Sequence, residues 1–492
     1  MIIFAGITSL LIWLLVTLIS RGIPVAFCQQ IASVLPKALE PFIAKMQNGF
    51  YYDVSNSLMP AEIFFFLFSL AFVIYSFVIL NLRKSAGKRN YIFLIVLFGI
   101  LFRLVLIPSE LIHENDIYRY VWDGKVLLSG VNPYKYAPQQ AEIKPDQEGD
   151  IEEVKKLKAL VKEDYTAFRR IGWPMVPTIY PPAAQVMFAS SNLIKRGSIP
   201  AMKSIFVFFD VLTIFVIYLL LKHFNMNPNM AVVYAWSPLV LKEFANSGHY
   251  DTSAIFFLML SLLFIFMKKI SISSISLSLG VLFKFFPIVA LPILIKRIKR
   301  KHLLVITGLI SLGYIPFFLW GRIKPLQLFD GLITYSKEWA INGAIFDAAY
   351  SLFNLLEINI SFDSVVAIKI MLGLIYLAII FLFSIKKDIS DLGILKRVFW
   401  AVALLFLFSP VGDSWYFCWV VPFLCFFPRK SFIMLSWLLI FSYISFSREL
   451  GEFAIGKFPI DYLIVIQYLP FYLLLFVESI FGRKRVGVSV SQ

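Results

Sequence analysis

Fourteen apolar runs, most of them close to the twenty or so residues a helix needs to cross a bilayer, follow one another along this chain. They lie near residues 3 to 20, 62 to 81, 91 to 108, 180 to 194, 204 to 222, 229 to 245, 251 to 267, 271 to 295, 302 to 320, 365 to 385, 394 to 410, 413 to 428, 431 to 446 and 459 to 481. Such a pattern leaves room for little but an all-α polytopic membrane protein, a single membrane domain over residues 1–492. Composition agrees, because 59% of the residues are hydrophobic and 17% aromatic, outside the range of soluble globular domains. A net charge of +16 would suit a nucleic-acid partner, but the lysines and arginines sit in short clusters between the runs, so nucleic acid is not expected. Cys28, Cys418 and Cys425 form neither a metal spacing nor a disulfide framework and read as packing residues. Residues 1 to 20 have no basic leader and no small-residue cleavage site, and are expected to stay as a helix.

The basic clusters orient the runs. Those at 83 to 89, 296 to 302, 386 to 397, 428 to 430 and 483 to 485 read as cytoplasmic, which places residues 21 to 61, 109 to 179, 321 to 364 and 447 to 458 outside. Between 180 and 295, hydropathy alone gives five crossings, whereas charge puts Lys268 and Lys269 inside and GHYD (248 to 251) outside. Run 271 to 295 is broken by Lys284 and Pro287 into halves too short to span, so it is expected to leave and re-enter from one side. One of 180 to 194 and 229 to 245 would then also fail to span, which gives twelve full spans, with fourteen as the alternative. Broken segments at membrane depth are tolerated only inside protein or beside a water-filled cavity, and so tend to mark sites. In the first large external loop, residues 151 to 165 carry Ile151, Val154, Leu157, Leu160 and Val161 on one stripe and are expected to lie flat on the membrane.

HENDIYRYVWDGKVLLSGVNPY (113 to 134) is the densest polar stretch. Asp116, Arg119 and Asp123 have the spacing of an exposed ion-pair ladder. Their position directly after an outward-going helix suggests more, because a carboxylate facing a polar cleft there can take a proton from an incoming hydroxyl. Asp116 is the first candidate, Glu114 the second, and Asp123 is expected to orient Arg119 or cap the turn at Gly124. Pro181 and Pro182 suit helix initiation, with Tyr180 and Gln185 facing the cleft. His249 and Asp251 sit between two apolar runs. Asp251 with Glu114 or Asp116 would offer oxygens of the kind a divalent cation takes, although the ligands are too few to establish one, and no other cofactor is expected. Arg103 and Lys284 stand in apolar surroundings; a helix-end arginine can snorkel, but a mid-segment lysine needs a partner, and a lipid-linked phosphate would be one. An interfacial aromatic belt accounts for most rings in YSKEWAINGAIF (335 to 346) and GDSWYFCWVVPFL (412 to 424), yet leaves Asn342 and Asp413 unexplained. There is no internal repeat or low-complexity tract.

DIYRYVWDGKVLLSGVNPY (116 to 134), YPPAAQ (180 to 185), GHYD (248 to 251), KFFP (284 to 287), YSKEWAINGAIF (335 to 346) and WYFCWVVPF (415 to 423) together resemble the GT-C superfamily of integral-membrane glycosyltransferases, and most closely the bacterial polyprenol-phosphate-mannose-dependent mannosyltransferases. The resemblance implies a helical bundle with a catalytic first external loop and an acid in that loop as base, which falls on Asp116 with Glu114 close by. Asn115 stands where many relatives carry the first aspartate of a pair. The expected reaction is inverting sugar transfer, with mannose suggested by the likeness alone. The donor would be a polyprenyl-phosphate sugar, its phosphate held by Arg119, Arg103 or Lys284, and the acceptor a hydroxyl of a glycan, lipid or protein on the non-cytoplasmic face. Cleft candidates along these stretches are His113, Tyr120, Asp123, Asn132, Tyr134, Tyr180, Gln185, His249, Asp251, Tyr335, Trp339, Asn342 and Trp415. The rival readings are a lipid or polysaccharide transporter, which would place ionisable groups at the midplane of two repeated halves, and a non-catalytic binder of lipid-linked sugar.

Overall fold

Prolines and one lysine decide which apolar runs become continuous helices. The computed structural model describes residues 1–22, 61–84, 89–143, 152–320, 323–356, 364–386, 390–443 and 462–481. The principal helices of the first half are α1 (Ile2–Ser20), α2 (Ala61–Lys84), α3 (Ile92–Leu106), α4 (Asp116–Leu128), α5 (Glu152–Glu163), α6 (Pro182–Ile194) and α7 (Ile199–His223). Those of the second half are α8 (Asp251–Phe266), α9 (Ile270–Phe283), α10 (Arg300–Leu319), α11 (Asp330–Glu338), α12 (Ala344–Leu355), α13 (Ser364–Ile385), α14 (Asp391–Phe408), α15 (Lys430–Leu438) and α16 (Tyr462–Phe481). Among the described residues there is no strand, only isolated bridges from Ile341 and Asn342 to Val411. Six helices, α1, α2, α7, α10, α13 and α16, are long and apolar enough to cross a membrane, and the protein is an all-α polytopic membrane protein.

The other apolar runs are apolar for a different reason. Residues 229 to 245 break at Pro238 into one-turn pieces and a π-helical turn, Leu241–Asn246, and residues 231 to 250 are buried throughout. Residues 413 to 428 break likewise around Pro422 into Ser414–Phe417 and Val421–Leu424. Their hydrophobicity serves the protein interior rather than lipid. Twelve full spans therefore do not correspond to twelve long helices: hydropathy sees burial and cannot say against what. The break within 271 to 295 falls where the sequence places it, since α9 stops at Phe283 with Lys284 extended (φ −154°, ψ 145°) and short turns follow from Phe286. Cys418 and Cys425 are buried free thiols in the core, while Cys28 and residues 447 to 458 lie outside the described residues.

The amphipathic segment departs from expectation. Helix α5 forms, but Val154, Leu157, Leu160 and Val161 are buried against α4 and the short helices Gln140–Ile143 and Tyr165–Phe168, so the stripe faces protein instead of lipid. Glu163 at its end pairs with Lys125 (3.1 Å) and Arg196 (2.8 Å). The loop thus folds onto its own helix. Ile151 lies outside the described residues.

Candidate active site

Helix α4 begins without an ordinary cap. Asn115 makes no side-chain cap, and instead Glu114 Oε1 accepts the backbone N–H groups of Asn115 (2.8 Å) and Asp116 (3.0 Å), doing from one residue upstream what a cap does for orphan donors. Gly130, at φ 79°, ends it, with Val131 N–H returning to Val126 O. Residues 117 to 126 are all buried, so the exposed-ladder reading of Asp116, Arg119 and Asp123 does not hold.

Beside the start of α4 lies a cavity of about 460 Å³, walled by α4, the Gly172–Pro181 loop, the break after α9, α11 and residues 405 to 419. Nine of the residues expected from sequence line it: Glu114, Asp116, Arg119, Tyr120, Tyr180, Lys284, Tyr335, Trp339 and Trp415. Two cations reach it, each braced by a carboxylate. Arg119 Nε donates to Asp123 Oδ1 (2.8 Å) and its Nη1 to Val176 O (2.9 Å), while Nη2 has no protein partner. Lys284 Nζ donates to Asp251 Oδ1 (2.6 Å), which also accepts Trp419 Nε1 (2.6 Å). The ammonium lies over the rings of Tyr250 (4.8 Å), Tyr416 (4.7 Å) and Trp419 (5.5 Å), an arrangement that stabilises a cation away from bulk water.

The two acids of the loop are set apart by their surroundings. Burial, and then the charge of Asp116, push Glu114 up to about 8. Burial also raises Asp116, but Lys284, the Tyr120 hydroxyl (3.3 Å) and Arg119 pull against it and leave it at about 6. Near neutral pH Asp116 is the ionised member and Glu114 the protonated one, a division that suits a base beside a neutral hydrogen-bonding neighbour.

Several expected cleft residues stand behind the wall and hold it. Asp123 orients Arg119, and its other oxygen accepts Thr178 Oγ1 (2.6 Å) and Gln185 Nε2 (3.3 Å). Tyr134 donates to Tyr180 O (2.7 Å), and Asn132 donates to Phe317 O (2.7 Å) and Trp320 O (2.6 Å). His249 stacks on Trp415 at 4.3 Å and meets the Tyr120 hydroxyl at 3.4 Å through Nδ1, and burial holds it neutral, well below the usual histidine range. His113, at φ 53°, sits among the rings of Phe64 and Tyr443, outside the cavity. Asn342, at φ 56°, donates to Gly412 O (3.0 Å) and Gln467 Oε1 (3.1 Å).

Two expectations are corrected. Arg103 is fully buried away from the cavity, where it binds Asp210 through Nε (2.6 Å) and Nη2 (3.1 Å) and donates from Nη1 to the carbonyls of Gly99 and Ala235. Its neighbour is a carboxylate and four of its five N–H hydrogens are taken, so at this buried position it is not placed to hold a phosphate. Glu114, Asp116 and Asp251 likewise do not assemble as cation ligands, because Asp251 is taken by Lys284; among the described residues no group of three His, Cys, Asp or Glu side chains is placed to hold a metal.

Sequence reasoning passed over Lys242 and Glu243, which hide inside an apolar run. Both are fully buried, and Glu243 gathers Ser414 (2.6 Å), Tyr443 (2.9 Å) and Lys242 (3.3 Å) beneath His249. Two charges in a segment too broken to span were the available signal. Trp173, at φ 54°, was missed too; it meets Trp339 at 4.4 Å on the cavity wall.

The family model of the alpha-(1->6)-mannopyranosyltransferase N-terminal domain (MptA_B family) matches residues 22–299. The chain belongs to this family. Neither a curated protein nor a solved structure matches it. Membership in the alpha-(1->6)-mannopyranosyltransferase family supports a glycosyltransferase of the GT-C type acting on mannose. The matched region carries α4, Asp116, Arg119 and Lys284, while Tyr335, Asp413 and Trp415 come from beyond it.

Proposed function

We propose that this protein transfers mannose from a polyprenyl-phosphate donor to an acceptor hydroxyl by a single inverting displacement, with Asp116 as general base. The observation that carries the reading is the Asp116 carboxyl sharing a cavity wall with two cations, Arg119, whose Nη2 has no partner among the described residues, and Lys284 in its aromatic surround. The acceptor oxygen attacks the anomeric carbon and gives its proton to Asp116. The bond from that carbon to the phosphate oxygen breaks, its electron pair stays on the phosphate, and Arg119 and Lys284 stabilise the departing charge. Phosphate is a good leaving group, so one carboxylate suffices where a glycosidase needs two. A single displacement that yields the α linkage named for the family requires the β-anomer of the donor, and a 1→6 bond requires a primary hydroxyl on the acceptor. The clustering of basic residues in the opposite loops supports a site on the non-cytoplasmic face.

The test uses purified protein in lipid with radiolabelled α- and β-linked polyprenyl-phosphate mannose and a mannoside acceptor, wild type beside Asp116→Asn. Transfer from the β-anomer alone, abolished in the variant, is the expected result. Unchanged turnover in Asp116→Asn would sink the assignment, and counterflow of sugar in vesicles without transfer would favour a transporter.

A further inference from the structure

Asp413 is the polar residue of the cavity wall that neither the base nor the two cations account for. It is only 8% exposed, yet among the described residues its carboxyl finds no hydrogen-bond partner and makes no cap to the helix that follows. That is unusual for its position. Asp413 is the residue before the short helix Ser414–Phe417, where an aspartate ordinarily turns back on the first free N–H groups; here the carboxyl does not, and Tyr416 N–H is taken by the Asp413 main-chain oxygen (3.0 Å). A buried carboxyl without partners costs free energy unless a ligand supplies them.

The backbone beneath it is fixed. Ile341 N–H donates to Pro410 O (2.9 Å), Gly412 N–H to Ile341 O (2.8 Å), and Asn342 Nδ2 to Gly412 O, so residues 410 to 412 are clasped against 341 and 342. Gly412 is required at this approach, because a Cβ there would run into Asn342 O. The Tyr335 and Tyr416 hydroxyls, bonded to each other at 2.9 Å, share the cavity wall with Asp413. Burial and the charge of Asp116 push the Asp413 carboxyl well above its usual range, and a carboxyl with no cation bonded to it disfavours phosphate and suits a neutral ligand rich in O–H groups, while the Trp339 ring on the same wall offers a face for the C–H side of a pyranose.

We propose that Asp413, with the Tyr335 and Tyr416 hydroxyls, is a sugar-binding subsite that accepts hydrogen bonds from the hydroxyls of the hexopyranose reacting at Asp116. The inference rests on the mannosyl-transfer reading and adds the sugar contact that reading lacks. Donor and acceptor share the chemistry, and kinetics separate them.

The experiment compares wild type, Asp413→Asn and Tyr335→Phe, each checked for an unchanged melting temperature. It measures KM for donor and acceptor across pH, and the quenching of tryptophan fluorescence by methyl α-mannoside, which needs no turnover. Loss of a hydrogen bond to the sugar predicts a rise in one KM of about threefold to tenfold in Asp413→Asn, with the acidic limb of the kcat profile in place; which KM rises names the sugar. Both KM values within about twofold of wild type would overturn the inference while leaving mannosyl transfer standing. Loss of the acidic limb in Asp413→Asn would overturn it differently, by making Asp413 the base. If no polyprenyl donor is turned over, saturable quenching in wild type that weakens at least about threefold in Asp413→Asn upholds the subsite and rejects the donor reading. Absence of both turnover and quenching rejects both.

Discussion

Exchanging Glu114 and Asp116 for their amides, one at a time, separates base from neighbour. With Asp116 raised to about 6 and Glu114 to about 8, Asp116 is the mainly ionised member at pH 7 and Glu114 the mainly protonated one. A raised carboxylate works as a base only above its folded pKa. Turnover should therefore be present above about 6, half lost at 6 and down about tenfold at pH 5. Glu114→Gln imitates the form already present at neutral pH, and its amide oxygen can still accept the two N–H groups that start α4. It should keep most of the wild-type kcat at pH 7 and the same acidic limb. Asp116→Asn should lower kcat by about 10²- to 10⁴-fold, the range general-base removal brings. Initial rates with labelled donor between pH 5 and 9 make the measurement. A dead Glu114→Gln beside an active Asp116→Asn, or a wild-type kcat flat between pH 7.5 and 5, would refute the division.

Three further outcomes follow from the geometry. Asp210→Leu strands Arg103 as an unpaired buried charge and should cost about 3–5 kcal/mol in thermal unfolding, whereas Arg103→Met with Asp210→Leu should recover most of that and leave donor KM unchanged, which a phosphate-binding Arg103 could not do. Lys284→Met removes the largest influence holding Asp116 down, so the acidic limb should move to higher pH, by about one unit for each 1.4 kcal/mol of lost interaction, and donor KM should rise. Gly412→Ala forces a Cβ onto Asn342 O and should destabilise by about 1–3 kcal/mol while weakening sugar binding as Asp413→Asn does; an unchanged melt and KM would show the clasp to be dispensable.

What the sequence made legible was local chemistry. The broken segment at Lys284 and Pro287, the pairing of Asp123 with Arg119 and helix initiation at Pro182 all follow from side-chain size, charge or a missing N–H, and are found where expected. What it hid was partnership across distance. Arg103 reads as a phosphate ligand until Asp210, in a different helix, is seen against it. The α5 stripe reads as lipid-facing because hydrophobic spacing carries no information about which apolar surface it meets. Asn342 and Asp413 fell outside the aromatic-belt account because their roles depend on two loops clasping, a contact that separates by 70 residues along the chain.

The π turn at Leu241–Asn246 has a further consequence. It accommodates one residue more than an α-helical turn, seen in the Ser247 N–H reaching back five residues to Lys242 O. The chain leaves the helix directly after it, with Gly248 at φ 74° and a new helix starting at Asp251, so this turn and break together place His249 behind Tyr120 and Asp251 beneath Lys284. Removing one residue here would shift the chain between this turn and the helix that starts at Asp251. The bundle would keep its hydrophobic interior, while the histidine behind Tyr120 and the counter-ion of Lys284 would lose their present places, so a turn that lies outside the cavity fixes two of the groups that support it.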